Sequence, residues 1–360
     1  MNRPVITRSL STHSPLTRSP RAVLARLAAR PEADLHVHGP GGITDVLETR
    51  VAALLGKERA LFFPTGTMAQ QVALRIHAEE KGRRTFGAHP SNHLDLWEQQ
   101  GYNAVHGLRF RRIGDPYRLM TLEDLTAPGE PLAAVLWELP QREIGGLLPE
   151  WADLTAQVDA ARATGAAAHL DGARLWEAQP YYERAHAEIA GLFDSVYVSL
   201  YKGLGGVRGA ILAGSEAFVA AAQVWRWRLG GQIPDAWPLS LSALDGLDTI
   251  VPRMPAYLEH AREIAAALKG LDGVEVVPGV PQTPLFHVHL PVSAEAASKA
   301  SMSIIDEYQI HLFGGAATAP LPGWSAVELS VGDNAMEFDG GEVAELFADL
   351  LDRARTRFGG

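Results

Sequence analysis

The run Ala166-Ala167-Ala168-His169-Leu170-Asp171-Gly172-Ala173-Arg174, read together with Phe193-Asp194-Ser195-Val196-Tyr197-Val198-Ser199-Leu200-Tyr201-Lys202-Gly203, decides the fold. Residues 166–170 form an apolar block of strand length, and Asp171-Gly172 is its exit. Residues 193–200 form a second block of the same kind, with Lys202 just past its end. An acid and an amine at the ends of two buried strands are costly to keep there unless the protein uses them.

Working outward, further strand-like runs fall at 60–63, 85–89, 104–113, 132–138 and 209–213. Helical patterns separate most of them. Leu47, Val51, Leu54 and Leu55 recur at one-face spacing, as do Met68, Val72 and Ile76, then Trp151, Leu154 and Val158. Such alternation predicts an α/β fold with a mainly parallel sheet. Pro238 to Leu271 reads as a long helical stretch broken near Val251-Pro252. Beyond it strands are expected near 274–277, 285–290 and 326–331. The expected organisation is an N-terminal arm (1–30), a large domain (31–250) and a smaller α+β domain (251–360).

Composition narrows the function. A chain of 360 residues, 47% hydrophobic, is long enough for a sizeable core. A formal net charge of −10 argues against general nucleic-acid binding. The absence of cysteine excludes disulfides, thiolate metal sites and a cysteine nucleophile. No apolar run approaches the length of a membrane span. The first 30 residues carry six arginines, four serines and no acid. That composition suits a transit peptide, but a basic arm crossing onto a partner subunit is the preferred expectation.

The Asp171/Lys202 pair is what pyridoxal 5'-phosphate requires. A lysine amine binds the cofactor as a Schiff base, and a carboxylate keeps the ring nitrogen protonated so that the ring can accept electrons. Thr65-Gly66-Thr67 lies between a strand and a helix start. Its free backbone N–H groups and the helix dipole make an anion site, although an ordinary threonine N-cap gives the same pattern. His93 in Asn92-His93-Leu94-Asp95-Leu96-Trp97-Glu98 is either structural or an imidazole placed to stack on a ring and move protons. Arg174, three residues after Asp171, offers a planar fork for a substrate carboxylate.

Four stretches carry a resemblance: LETRVAALLGKERALFFPTGTMAQQVAL, NHLDLWEQQG, HLDGARLWEA and DSVYVSLYKGLGGVRGAILAG. In order and spacing they resemble the threonine aldolase and β-eliminating lyase family of fold-type I pyridoxal phosphate enzymes. The resemblance implies a seven-stranded, mainly parallel large-domain sheet and a cleavage of a β-hydroxy-α-amino acid to glycine and an aldehyde. It implies Lys202 as the Schiff-base lysine, Asp171 at the ring nitrogen and His93 on the ring. Thr65, Gly66, Thr67, Ser199 and Arg228 join the cofactor set, and Arg174 with His38 the substrate set. It also implies a cytoplasmic homodimer or homotetramer with the site at the subunit interface, near Trp225, Trp227 and Trp237.

The departures fall on substrate recognition. His38-Gly39-Pro40-Gly41 stands where the family has Tyr-Gly-Glu-Asp, and Glu138-Leu139-Pro140-Gln141 where it has Glu-Asn-Thr-His. Glu328 falls where a second carboxylate-binding arginine is usual. β-Elimination from an amino acid or amino sugar acid, or a degenerate scaffold subunit, are therefore carried as alternatives. His36-Val37-His38 also resembles the strand His-x-His of metal-dependent amidohydrolases, with His89, His169 and Asp171 as conceivable further ligands. Gly203-Leu204-Gly205-Gly206-Val207-Arg208-Gly209 is no dinucleotide loop, because a strand rather than a helix is expected after it.

Overall fold

The computed structural model describes residues 5–12, 19–37 and 39–359. They pack as two compact units. One contains Leu27–Glu143 and Leu148–Val251. The other contains the described residues before Leu27, Ile144–Leu147, and the chain from Pro252 on.

In chain order the strands are β1 (Arg8–Ser9), β2 (Arg59–Phe63), β3 (Thr85–Ala88), β4 (Arg109–Arg112), β5 (Ala134–Glu138), β6 (Ala167–Gly172) and β7 (Ser195–Ser199). They continue with β8 (Ala210–Gly214), β9 (Glu275–Val277), β10 (Leu285–Leu290), β11 (Ile310–His311), β12 (Ala316–Thr318) and β13 (Ser325–Ser330). The first unit holds a seven-stranded sheet in the order β2-β8-β7-β6-β5-β3-β4. Strands β7 to β4 run parallel, and β8 is antiparallel to both of its neighbours. The fold class read from the sequence is the one observed.

Helices on the sheet explain why the central strands read as unbroken apolar blocks. The helix Gly66–Lys81 packs against several of them, and Ala69, Val72, Ala73 and Ile76 share a core with Phe63, Tyr197, Ala210 and Leu212. Leu47, Val51 and Leu55 are fully buried along the helix Ile43–Leu54 and its C-cap. Each such burial is worth about 1.5–3 kcal/mol.

The run expected as one strand at 104–113 is interrupted. The helix Gly101–Ala104 and a turn precede β4, and Val105 is exposed. β4 is an edge strand whose arginines 109 and 112 are exposed, the sort of charge that discourages edge-to-edge pairing.

In the second unit the sheet runs β12-β13-β10-β9, all antiparallel. The segment expected as an arm on a partner subunit pairs within its own chain. β1 lies parallel to β11, and Arg8 Nη1 contacts Glu342 Oε1 at 2.5 Å. Glu328 is half-buried on β13, opposite His287, whose Nε2 is 3.8 Å from its Oε2.

Candidate active site

The parallel register of β5, β6 and β7 gathers the charged residues. Glu138 at the end of β5 is level with Asp171 on β6, and Asp171 is level with Tyr197 on β7. Asp171 is buried at 2% exposure. Its Oδ1 accepts the Ala173 N–H at 3.0 Å, and its Oδ2 accepts from the Gln70 amide of the covering helix. Burial pushes the Asp171 carboxyl above its ordinary value, and the charges of Lys202 and His93 oppose that push.

Lys202 sits in the turn after β7. Ser199 Oγ accepts the N–H groups of Tyr201 and Lys202 at 3.4 Å each, which closes that turn under the lysine. Burial lowers the pKa of the Lys202 amine, and the Arg174 guanidinium lowers it further. Asp171, Glu138 and Glu177 pull the other way. The result is an amine more easily deprotonated than a solvated lysine, as a nucleophile requires.

His93 opens the short helix His93–Leu96, capped by Asn92, whose Oδ1 accepts the Asp95 N–H. Its Nδ1 lies 3.1 Å from Glu98 Oε1, and the Glu98 side chain is buried. With the proton of Nδ1 held by that carboxylate, Nε2 is left as the basic nitrogen. Arg174 is 8% exposed just ahead of the helix Leu175–Tyr182, and its Nε is 3.8 Å from Glu177 Oε1.

Thr65 caps the helix Gly66–Lys81 by accepting the Met68 N–H at 3.2 Å. The capping role and the anion role are compatible, because the first helical N–H groups have no acceptor inside the helix. Gly66 is required by packing. A Cβ there would stand 2.6 Å from Tyr197 Cζ and closer still to its hydroxyl. Gly66→Ala is therefore expected to cost about 1–3 kcal/mol. Thermal melting of Gly66→Ala with and without Tyr197→Phe checks this, and the second change should recover part of the loss.

The beta-eliminating lyase family model matches residues 16–290. The chain belongs to that family. This lyase is 29% identical over 266 residues to the low specificity L-threonine aldolase of Escherichia coli K12, covering 71% of this chain and 77% of the relative. A solved structure from Listeria monocytogenes EGD-E, provisionally named an L-allo-threonine aldolase, superposes with a TM-score of 0.89. It shares 37% identity over 97% of this chain and 96% of its own. A structure from Exiguobacterium sp. 255-15, provisionally named an aromatic amino acid beta-eliminating lyase/threonine aldolase, also gives 0.89, with 39% identity and 97% coverage of both chains.

Of the residues read from the sequence, Lys202, Asp171, His93 and Arg174 share one electrostatic neighbourhood in the lyase. Ser199 and the turn at Thr65 to Thr67 flank it through Tyr197, which is buried between them. Arg228 stands apart. It is exposed at the end of the helix Glu216–Arg228, with its guanidinium 4.8 Å over the Trp225 ring. His38 lies outside the described residues. The amidohydrolase reading fails: no strand forms at residues 34–37, His36 is exposed, and no group of metal-ligating side chains forms among the described residues. Also among these, no helix is long and apolar enough to cross a membrane.

Sequence reasoning assigned no role to Gln70, Glu98 or Glu138. Glu98 could have been found five residues after His93, but Glu138 and Gln70 depend on strand register and helix docking. Glu138 is unusual for a carboxylate. Burial and the nearby Asp171 push it up to about 7, with His93 and Lys202 acting against them. A folded-state pKa above the ordinary 4.5 means that the folded chain keeps a proton the unfolded chain has lost. Glu138 thus makes stability fall as pH rises from near 4.5 to about 7. Urea unfolding of Glu138→Gln across that window should show a flatter pH dependence than the parent protein.

Proposed function

We propose that this lyase uses pyridoxal 5'-phosphate to cleave a β-hydroxy-α-amino acid into glycine, or a glycine-like product, and an aldehyde. The observation that carries the reading is the buried Asp171 beside the deprotonation-prone Lys202 on successive strand ends. The donor set suits the cofactor: an amine for its aldehyde, a carboxylate for its ring nitrogen, and a helix start for its phosphate. In this reading Lys202 holds it covalently, Asp171 holds the ring N–H and His93 lies on the ring face. Thr65, Gly66 and Thr67 hold the phosphate, and Ser199 shapes the lysine turn. When bound, the cofactor supplies an electron sink for the charge left at Cα as a bond to it breaks.

The chain's own residues would do the rest. Arg174 grips the substrate carboxylate as a fork. His93, oriented by Glu98, takes the β-hydroxyl proton at Nε2. The relatives named for L-threonine aldolases support this substrate class. For the assembly we favour a cytoplasmic homodimer or homotetramer, in which Arg228 reaches the phosphate of a neighbouring copy and the exposed Trp227 packs at the interface.

The test is product analysis with pyridoxal 5'-phosphate and a panel of β-hydroxy amino acids. Glycine plus an aldehyde is expected. Ammonia plus a keto acid would replace this reading with β-elimination. No turnover and no change in the visible spectrum would leave a scaffold subunit.

A further inference from the structure

A row of buried polar groups runs away from Asp171 through the interior, and the proposed chemistry does not use it. Gln70 bridges Asp171 to His169, with its Oε1 2.7 Å from His169 Nε2. His169 Nδ1 lies 2.7 Å from Ser195 Oγ, and Ser195 Oγ lies 2.7 Å from His77 Nε2. His77 Nδ1 faces Glu80 Oε2 at 3.5 Å, near the surface. His169 and Ser195 are wholly inaccessible, and His77 is nearly so.

Backbone geometry builds this row. His169 and Asp171 project from the same face of β6, and register sets Ser195 level with His169. Gln70 and His77 are seven residues apart on the covering helix, so they share one side of it about 10 Å apart.

Hydrogen-bond accounting gives the row a direction. An anionic Asp171 can only accept, so Gln70 must turn its N–H toward it and its Oε1 toward His169. His169 then donates from Nε2 and accepts at Nδ1 from the Ser195 hydroxyl. Ser195 in turn accepts from His77 Nε2–H, and because Nδ1 of that ring faces the Glu80 carboxylate, which can only accept, the row in this direction has protons on both His77 nitrogens. Burial lowers the His169 pKa to about 3, so this ring stays neutral and has one donor and one acceptor to place. Every dipole in the row then points its positive end at Asp171. A reversed row is also self-consistent, but only with a protonated Asp171.

We infer that His169, Ser195 and His77 are positioning residues that lock the Gln70 amide with its N–H on Asp171, keeping that carboxylate anionic for the ring nitrogen of the bound cofactor. The inference rests on the proposed use of pyridoxal phosphate. The charged and titratable groups around Asp171 are Lys202, His93, Glu138, Glu98 and Tyr197, and those around His77 are His169, Glu80 and Asp194. Of these groups only His169, itself a member of the row, lies between Gln70 and Ser195.

The experiment uses the protein loaded with pyridoxal 5'-phosphate. Nitrogen NMR with labelled histidine reads the His169 tautomer, and the pH titration of the visible band reads the charge on the ring. His169 should carry its proton on Nε2. Ser195→Ala should raise the titration midpoint by about half to one pH unit, because a less protonated ring acidifies its lysine linkage less. Ser195→Thr, which restores a hydroxyl, should return the midpoint toward the parent value.

A His169 proton on Nδ1, or a Ser195→Ala midpoint unchanged from the parent, would overturn the inference and leave the proposed function standing. A parent protein with no visible band at any cofactor concentration would overturn the proposed function, and this inference with it. Should Ser195→Ala fail to fold, the tautomer in the unaltered protein decides.

Discussion

Lys202→Ala is expected to remain folded, to lose its covalent hold on pyridoxal phosphate, and to lower kcat/KM by at least about a thousandfold. Folding should survive because the amine is a poorly solvated group whose charged form burial already disfavours. The backbone hydrogen bonds of its turn run through Ser199 and Leu200 and do not need the side chain. Borohydride reduction followed by peptide mass analysis reads the result directly. The chain has five lysines, so the labelled peptide is unambiguous. Lys57 donates to the Phe193 carbonyl at 2.5 Å, and Lys299 is exposed beside Glu295. A reducible label retained by Lys202→Ala would move the anchor to another lysine and undo the site assignment.

Asp171→Asn is expected to give the second large effect. It keeps the shape and an acceptor for the Ala173 N–H, but it removes the charge. Losing one partner of a buried charged pair costs about 3–5 kcal/mol, which in rate is roughly two to four orders of magnitude. Cofactor affinity should weaken as well, measured by equilibrium dialysis at one ionic strength. Asp171→Ala adds a packing loss, because the Gln70 amide and the Ala173 N–H are then left without their acceptor. A difference in activity between the two variants therefore measures geometry, and the loss common to both measures charge. Equal turnover in Asp171→Asn and the parent protein would remove Asp171 from the site.

The residues that were legible in the sequence are those whose local context is itself improbable. An acid and a lysine on the exits of apolar strands stand out without any knowledge of pairing. The Thr65 cap was legible as a helix start for the same reason. Glu138 was not, because its meaning comes from lying level with Asp171, and register between strands is a tertiary fact. Gln70 and His77 were hidden by the apolar face of their own helix. Met68, Val72 and Ile76 account for its amphipathic signal, yet the adjoining polar positions are buried too, against polar positions of β6 and β7. The antiparallel insertion of β8 between β2 and β7 left no local mark either. Its residues are apolar on both faces, which is also how a buried parallel strand reads.

The pairing of β1 with β11 joins residues 302 positions apart, as in the Thr7 hydroxyl bond to the Gln309 carbonyl. The sheet of the other unit is complete once β8 has emerged from the ribosome. At about 5–20 residues per second, the N-terminal strand waits roughly 15–60 s before its partner is made. During synthesis it is an unpaired edge on a half-finished chain, and the arginines and serines around it help to keep that edge soluble. The docking of β1 therefore cannot precede the synthesis of β11, so the time taken to make the intervening chain sets the earliest moment of that step.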